Sequence, residues 1–416
     1  MVVVYKFGGA SLKDTESIKK VAEIIANSCY AHLIVVVSAM GKTTNALEKV
    51  FQLYIQNDKL KFKAFDDVIA YHNNILDNLF DSYDEVFFEI QKVYDEIINK
   101  LNQLPSDNVD YEYDSIVSYG ELLSSKIVYY YLKHIGINAK LVDIRKVLIT
   151  DSQFREANVD FSRSTEKVRN AFNENGLYLC QGFIAGTEDG RTTTLGREGS
   201  DYTAAAIGYI MDASSVTIWK DVPGVLTADP RIMPDVKKLD FITYKEAIEL
   251  AYYGAQVIHP KTIKPLQNKN IPLYVKPFYA PDELGTKIQE FSGELNLPPI
   301  FIHKYQQVLI SIMPKDFSFI VEENLSIIFQ HLADLRIKIN IMQLTAVSFS
   351  ICIDYNEKKL NEFLNRISKQ FNVLYNTHLT LITIRHYTDE AINSVIKDKE
   401  VLIKDISRKT AHIVIK

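Results

Sequence analysis

The chain opens on Val2-Val3-Val4-Tyr5-Lys6-Phe7 and passes at once into Gly8-Gly9-Ala10-Ser11. Two glycines that leave a strand and open a helix gather free backbone N–H groups and the positive helix end at one point. Such a point suits a phosphate, although the same pair also serves a tight βα turn by its backbone freedom. Lys6 stands near the carboxyl end of the strand, where open α/β sheets bind ligands, and so favours an anion. A second polar turn, Ser38-Ala39-Met40-Gly41-Lys42-Thr43-Thr44, closes on Gly-Lys-Thr. Val36 occupies the place of a P-loop's first glycine, which excludes that motif and leaves a helix cap or hydroxyl contacts to a small substrate.

Farther along, Ser118-Tyr119-Gly120-Glu121 has the spacing of a capping box, Ser118 capping a helix and Glu121 reaching back to it. The most glycine-rich stretch runs from Gly182-Phe183 through Thr192-Thr193-Thr194-Leu195-Gly196-Arg197-Glu198-Gly199-Ser200-Asp201 into a small-residue helix. Glycines, threonines, an arginine and Ser200 as N-cap make a loop of the kind that wraps an anionic ligand. Lys220-Asp221 ends a later strand before a Pro-Gly turn, and Asp229-Pro230-Arg231 reads as a turn with an exposed charge or as part of the same site.

The elements that must position these residues alternate as βα units. Short, continuously apolar strands such as Leu33 to Val37, separated by periodic helices, specify a parallel sheet covered on both faces. Residues from about 43 to 110 form a helical insertion. A helix over Ser118 to His134, strands over Asn138 to Ile144, Leu177 to Phe183 and Ser215 to Lys220, and a helix over Tyr244 to Tyr253 continue the pattern. Pro277 to Pro299 reads as a linker. Beyond it the order becomes β-α-β-β-α-β with a partial second copy, the ferredoxin-like signature.

At about 100–200 residues per domain, 416 residues make two or three domains. A net charge of −5 gives no electrostatic support for nucleic-acid binding, and no apolar stretch approaches a membrane span. A cytoplasmic protein is expected, with no nucleic acid or membrane among its partners. Cys29, Cys180 and Cys352 have no metal-ligand spacing and read as core thiols.

Taken together, and with Gly254-Ala255-Gln256-Val257-Ile258-His259-Pro260 behind them, these motifs resemble in kind and order those of the aspartate kinases of the amino-acid kinase superfamily. The resemblance implies a three-layer αβα kinase domain with a mostly parallel sheet over 1–290, then two ACT-like α+β modules over 298–416, the second truncated. ACT modules pair across chains, which implies a homodimer. The implied reaction is ATP-dependent phosphorylation of the side-chain carboxylate of L-aspartate to 4-phospho-L-aspartate, the entry to lysine, threonine and methionine, with Mg²⁺ held on phosphates and waters.

Carried over by residue, Lys6, Gly8, Gly9 and Ser11 would hold the transferring phosphates. Thr44, Glu121, Phe183, Arg197 and Ser200 would surround the amino acid, Glu121 on its ammonium and Arg197 on a carboxylate. Lys220, Asp221, Leu226, Arg231 and Gln256 would line the nucleotide side. Asp201, counted as catalytic in the family, would orient Lys6, because a carboxylate nucleophile is already ionised and needs no base. Ala10, Glu198, Leu226 and Gln256 depart from the residues usual in the family, where 198 is a glycine. Two alternatives accompany this reading: a catalytically weak amino-acid sensor of the same fold, and a kinase of another small acidic amino acid.

Overall fold

The computed structural model describes residues 1–82, 84–255, 258–293, 295–316 and 318–416. Two compact units divide the chain, one of Met1–Val225, Lys238–Ile248 and Gln256–Leu295, the other of Leu226–Lys237, Glu249–Ala255 and Asn296–Lys416.

The first unit begins β1 (Val2–Phe7), α1 (Thr15–Ala26), β2 (His32–Val37), then five helices, α2 (Thr43–Ile55), α3 (Leu60–Leu79), α4 (Glu85–Leu101), α5 (Val109–Val117) and α6 (Tyr119–His134). It continues β3 (Ala139–Val142), β4 (Ile149–Thr150), α7 (Phe161–Ala171), β5 (Gly176–Gln181), β6 (Ile184–Thr187), β7 (Thr192–Thr194), α8 (Gly199–Ile210) and β8 (Ser215–Lys220). After β9 (Phe241–Ile242) come α9 (Tyr244–Tyr253), α10 (Pro260–Asn268), β10 (Leu273–Pro277) and β11 (Thr286–Ile288).

Among the described residues the main sheet is ordered β3-β5-β2-β1-β8-β10-β11-β9, every neighbouring pair parallel except β10 with β11. The strand order reverses at β1, with β2 on one side and β8 on the other. An open α/β sheet forms its ligand crevice at such a reversal, outside the carboxyl strand ends. β1 and β2 are almost wholly buried, as sheet strands covered on both faces must be. Leu47, Val50 and Phe51 of α2, Phe65 and Val68 of α3, and Ile90, Val93 and Ile97 of α4 join Val3, Phe7 and Val35 in one core, which explains their helical spacing.

Four local expectations are corrected. Ser118 does not cap α6 by its side chain: α5 runs almost directly into α6, Ser118 has helical φ −60° and ψ −22°, and its N–H bonds back to Asp114 O. Ser200 lies inside α8, whose N-cap is Glu198. Cys29 is exposed, in the turn after α1, whereas Cys180 and Cys352 are buried. The stretch read as a linker also contains β11, hydrogen-bonded to β10.

The second unit carries β12 (Ile300–Pro314), α11 (Glu322–Asp334), β13 (Ile339–Leu344), β14 (Phe349–Asp354), α12 (Glu357–Ile367), β15 (Phe371–Arg385), α13 (Asp389–Ile396), β16 (Val401–Ile406) and β17 (Thr410–Ile415). Its strands form an antiparallel sheet, β13-β14-β12-β15-β17-β16, around the two long central strands. Ile328 and Leu332 of α11 and Leu360 and Phe363 of α12 bury against Val308, Ile310 and Ile351. Ala391 and Ile392 of α13 bury against Ile384, Ala411 and Ile413. These are two ferredoxin-like modules sharing one sheet.

Candidate active site

The carboxyl ends of β1, β2 and β8 open onto a cleft of about 290 Å³ lined by Lys6, Gly9, Ser38, Ala39, Gly41, Thr44, Glu121, Phe183, Gly196, Glu198, Gly199, Ser200, Asp201 and Lys220. Its floor is made of two turns pressed together. Gly41 N–H donates to Gly9 O at 3.0 Å, and a Cβ on Gly9 would stand 2.7 Å from Gly41 O and 2.9 Å from Ala39 O. Only glycine permits that approach at position 9. Gly41 takes φ +53° beneath the Tyr71 hydroxyl, which donates to Lys13 O at 2.6 Å.

Lys6 is 8 % exposed, and its Nζ lies 2.6 Å from Asp201 Oδ1. Lys220 Nζ lies 3.6 Å from the other oxygen, Oδ2. Burial pushes the Asp201 carboxyl up, but the two ammonium groups outweigh it and hold the group below the usual carboxylate range. One buried carboxylate therefore fixes two cations at the sheet end, where positive charge faces the cleft.

Glu121 is buried on the opposite wall. Its Oε1 accepts Ala39 N–H at 3.2 Å, while Oε2 is buried without a hydrogen-bond partner. Burial raises this carboxyl to about 8 against the smaller opposing effects of the Ala39 amide and Lys6. An unpartnered buried carboxylate oxygen calls for a cation or a donor from a ligand.

The third wall is the loop from β7 to α8. Phe183 has φ +64°, and its N–H donates to Thr203 Oγ1 at 3.1 Å. A Cβ on Gly199 would stand 2.7 Å from the Phe183 ring, so ring and loop are packed to contact. Asp114, which sequence reasoning missed, anchors the loop's start: its carboxylate accepts Thr194 N–H at 2.8 Å, Thr194 Oγ1–H at 2.7 Å and Arg155 N–H at 3.0 Å. His72, also missed, is buried beneath the Thr43 turn. Its Nδ1–H donates to Val68 O at 2.8 Å and Nε2 lies 3.5 Å from Thr43 Oγ1; burial lowers its pKa to about 4 and keeps it neutral. No local pattern marks either residue, since their partners stand far away in the chain or a helical turn away on a helix.

Of the residues singled out from sequence, Lys6, Gly9, Thr44, Glu121, Phe183, Ser200, Asp201 and Lys220 share this cleft. Gly8 adjoins it, since a Cβ there would stand 3.2 Å from Lys6 Nζ. Ser11 lies below, its N–H on Gly8 O at 3.0 Å and its hydroxyl buried without a hydrogen-bond partner. Arg197 and Asp221 are exposed and do not line the cleft. Leu226 and Arg231 belong to the second unit, where Arg231 pairs with Asp229 at 2.6 Å. Gln256 lies outside the described residues.

Comparison with known proteins adds a family. Residues 1–277 match the amino acid kinase family. The chain is 34 % identical over 305 residues to lysine-sensitive aspartokinase 3 of Escherichia coli (strain K12), an alignment that covers 72 % of this chain and 66 % of that protein. It thus spans just under two thirds of that relative's length, and 32 % of the bifunctional aspartokinase/homoserine dehydrogenase 2 of Arabidopsis thaliana, to which it is 33 % identical over 293 residues. The crystal structure of E. coli aspartokinase III in complex with lysine and aspartate superposes with a TM-score of 0.83 at 28 % identity, covering 99 % of this chain and 95 % of that one. The complex of E. coli aspartokinase III with aspartate and ADP gives 0.82 at 27 % identity, covering 100 % and 96 %.

Proposed function

Because the chain belongs to the amino acid kinase family, within its aspartokinases, we propose that the cleft transfers the γ-phosphoryl group of ATP to the side-chain carboxylate of L-aspartate, releasing ADP and 4-phospho-L-aspartate. The observation that carries this reading is the placement of the Lys6–Asp201–Lys220 cluster and the unpartnered Glu121 oxygen around one cleft.

An acceptor carboxylate has an unperturbed pKa near ~4 and attacks without losing a proton. The barrier is the approach of one anion to another, so the protein's contribution is position and positive charge. Glu121 Oε2 takes the substrate ammonium, which supplies the missing hydrogen bond and shifts the buried carboxyl to its ionised form. Lys6, with the backbone N–H groups of the Gly8-Gly9 turn, faces the transferring phosphoryl group, and Asp201 keeps Lys6 from swinging away. Charge gathers on the equatorial oxygens as the phosphoryl group moves, so the fixed ammonium interacts most strongly there.

Among the described residues no group of three His, Cys, Asp or Glu side chains could hold a metal ion, and Asp201 is engaged by two lysines. Mg²⁺ would be carried on the nucleotide's phosphate oxygens and water, as that ion prefers, and would neutralise phosphate charge there. The reading extends to homodimerisation through the C-terminal modules, supported by the exposed Met342 and Leu344 on the edge strand β13. It extends also to a cytoplasmic setting at the entry to lysine, threonine and methionine synthesis. No helix among the described residues is long and apolar enough to cross a membrane.

A coupled ADP-release assay with L-aspartate, L-glutamate and other small acids tests the assignment. Turnover on aspartate well above the rest is expected. Turnover confined to another acid would move the acceptor, and binding of aspartate without turnover would leave an amino-acid sensor.

A further inference from the structure

The loop between β7 and α8 is fixed at its start by Asp114 on Thr194 and at its end by α8, which carries Asp201. Between these anchors stands Glu198, which lines the cleft and holds φ +52°, a left-handed backbone that glycine adopts without the Cβ penalty. A side chain retained there needs a compensating contact, and Glu198 has one. Its Oε2 accepts the His259 N–H at 2.8 Å. His259 is the N-cap of α10, where backbone N–H groups lack intrahelical partners and the helix end is positive. The helix answers in the other direction: Lys261 Nζ donates to Leu195 O at 3.1 Å and sits 4.8 Å from the centre of the Tyr202 ring.

Loop and helix are thus tied twice, carboxylate to amide and ammonium to carbonyl. Freed into the cleft, the Glu198 charge would oppose an acidic substrate and a polyphosphate; here one of its oxygens is engaged by the His259 amide.

We propose that Glu198 is a positioning residue that latches the 195–201 loop onto the N-terminus of α10, and so fixes the Gly199–Ser200 wall against which the amino-acid substrate binds. The proposal rests on the reading that this cleft takes L-aspartate. Relatives that carry glycine at the equivalent of position 198 would lack this latch.

The test compares the full chain with Glu198→Ala, Glu198→Gln and Glu198→Gly, by steady-state kinetics in both substrates and by amide hydrogen exchange at His259 without substrate. Glu198→Ala is expected to raise the aspartate KM roughly ten-fold with kcat and the ATP KM within about two-fold, a split that general loss of stability would not produce. Glu198→Gly behaves likewise. Glu198→Gln, whose amide oxygen accepts the same N–H, recovers most of the aspartate affinity. Exchange at His259 quickens in the alanine and glycine variants and stays slow with glutamine. Unchanged exchange in Glu198→Ala, an unchanged aspartate KM, or equal losses in the glutamine and alanine variants would each overturn the proposal. A wild-type chain that does not turn over aspartate would instead defeat the acceptor reading, while the exchange measurement still reports on the latch.

Discussion

Asp201 bridges Lys6 and Lys220, with Oδ1 2.6 Å from one ammonium and Oδ2 3.6 Å from the other. The shorter contact belongs to the lysine on β1, the strand at which the sheet order reverses. Lys6→Ala should therefore act on the transition state more than on binding. A fall in kcat of about 10²–10³-fold, with the aspartate KM changed little, is expected. Steady-state kinetics showing unchanged kcat would remove Lys6 from the reaction.

The bridge also separates two roles for Asp201 itself. Asp201→Asn keeps the shape but leaves two partly buried ammonium groups without their shared carboxylate, so kcat should fall steeply and stability should drop by about 3 kcal/mol. Because the acceptor carboxylate brings no proton to remove, the residual activity should follow the wild-type pH profile. Loss of an acidic limb from the kcat/KM profile in Asp201→Asn, with wild type retaining it, would identify Asp201 as a general base.

Much of this arrangement was legible from local sequence, and the reason differs by element. β8 over Ser215–Lys220 and α9 over Tyr244–Tyr253 fall where patterning put them, because each is one uninterrupted apolar period. The cluster at the sheet end was legible because short strand–turn–helix segments carry it. Errors arose where a long-range partner decides. Ser118 failed as a cap because α5 abuts α6, and Glu121 bonds across to Ala39 rather than back along its own helix. The polar stretch Asn376-Thr377-His378 carries no apolar period of its own. The chain instead continues as β15 through a left-handed His378 at φ +58°, whose ring nitrogen meets Gln306 Oε1 of β12 at 3.1 Å. Arg197 stands within the loop's motif, yet it is exposed and outside the cleft lining.

Asp114 shows how such a hold can be tested. It is fully buried and accepts two hydrogen bonds from Thr194 and one from Arg155 N–H. Asp114→Ala strands these donors in the interior, and a loss of about 3 kcal/mol in unfolding free energy is expected, together with a raised aspartate KM from the loosened loop. Denaturant titration and substrate kinetics read the two effects. A variant with wild-type stability would show that water replaces the carboxylate at no loss.

Glu121 ties pH to both stability and binding. Burial lifts its carboxyl from 4.5 to about 8 in the folded chain. The folded state then holds this proton more tightly than the unfolded state. The associated stability is fully present below pH 4.5 and is lost as pH rises through 8, about 3 kcal/mol of it by pH 7. Glu121→Gln cannot ionise and should lack this slope, so thermal melts of the substrate-free protein between pH 5 and 8 should decline less steeply in the variant. Binding reverses the balance, because an amino-acid ammonium on Oε2 favours the ionised form. At pH 7, L-aspartate should therefore release up to about one proton per site. Calorimetric titration in two buffers of different ionisation heat measures that number directly. Buffer-dependent heat in wild type and none in Glu121→Gln is the expected result, and equal heats in both buffers for wild type would show that Glu121 does not meet the ammonium.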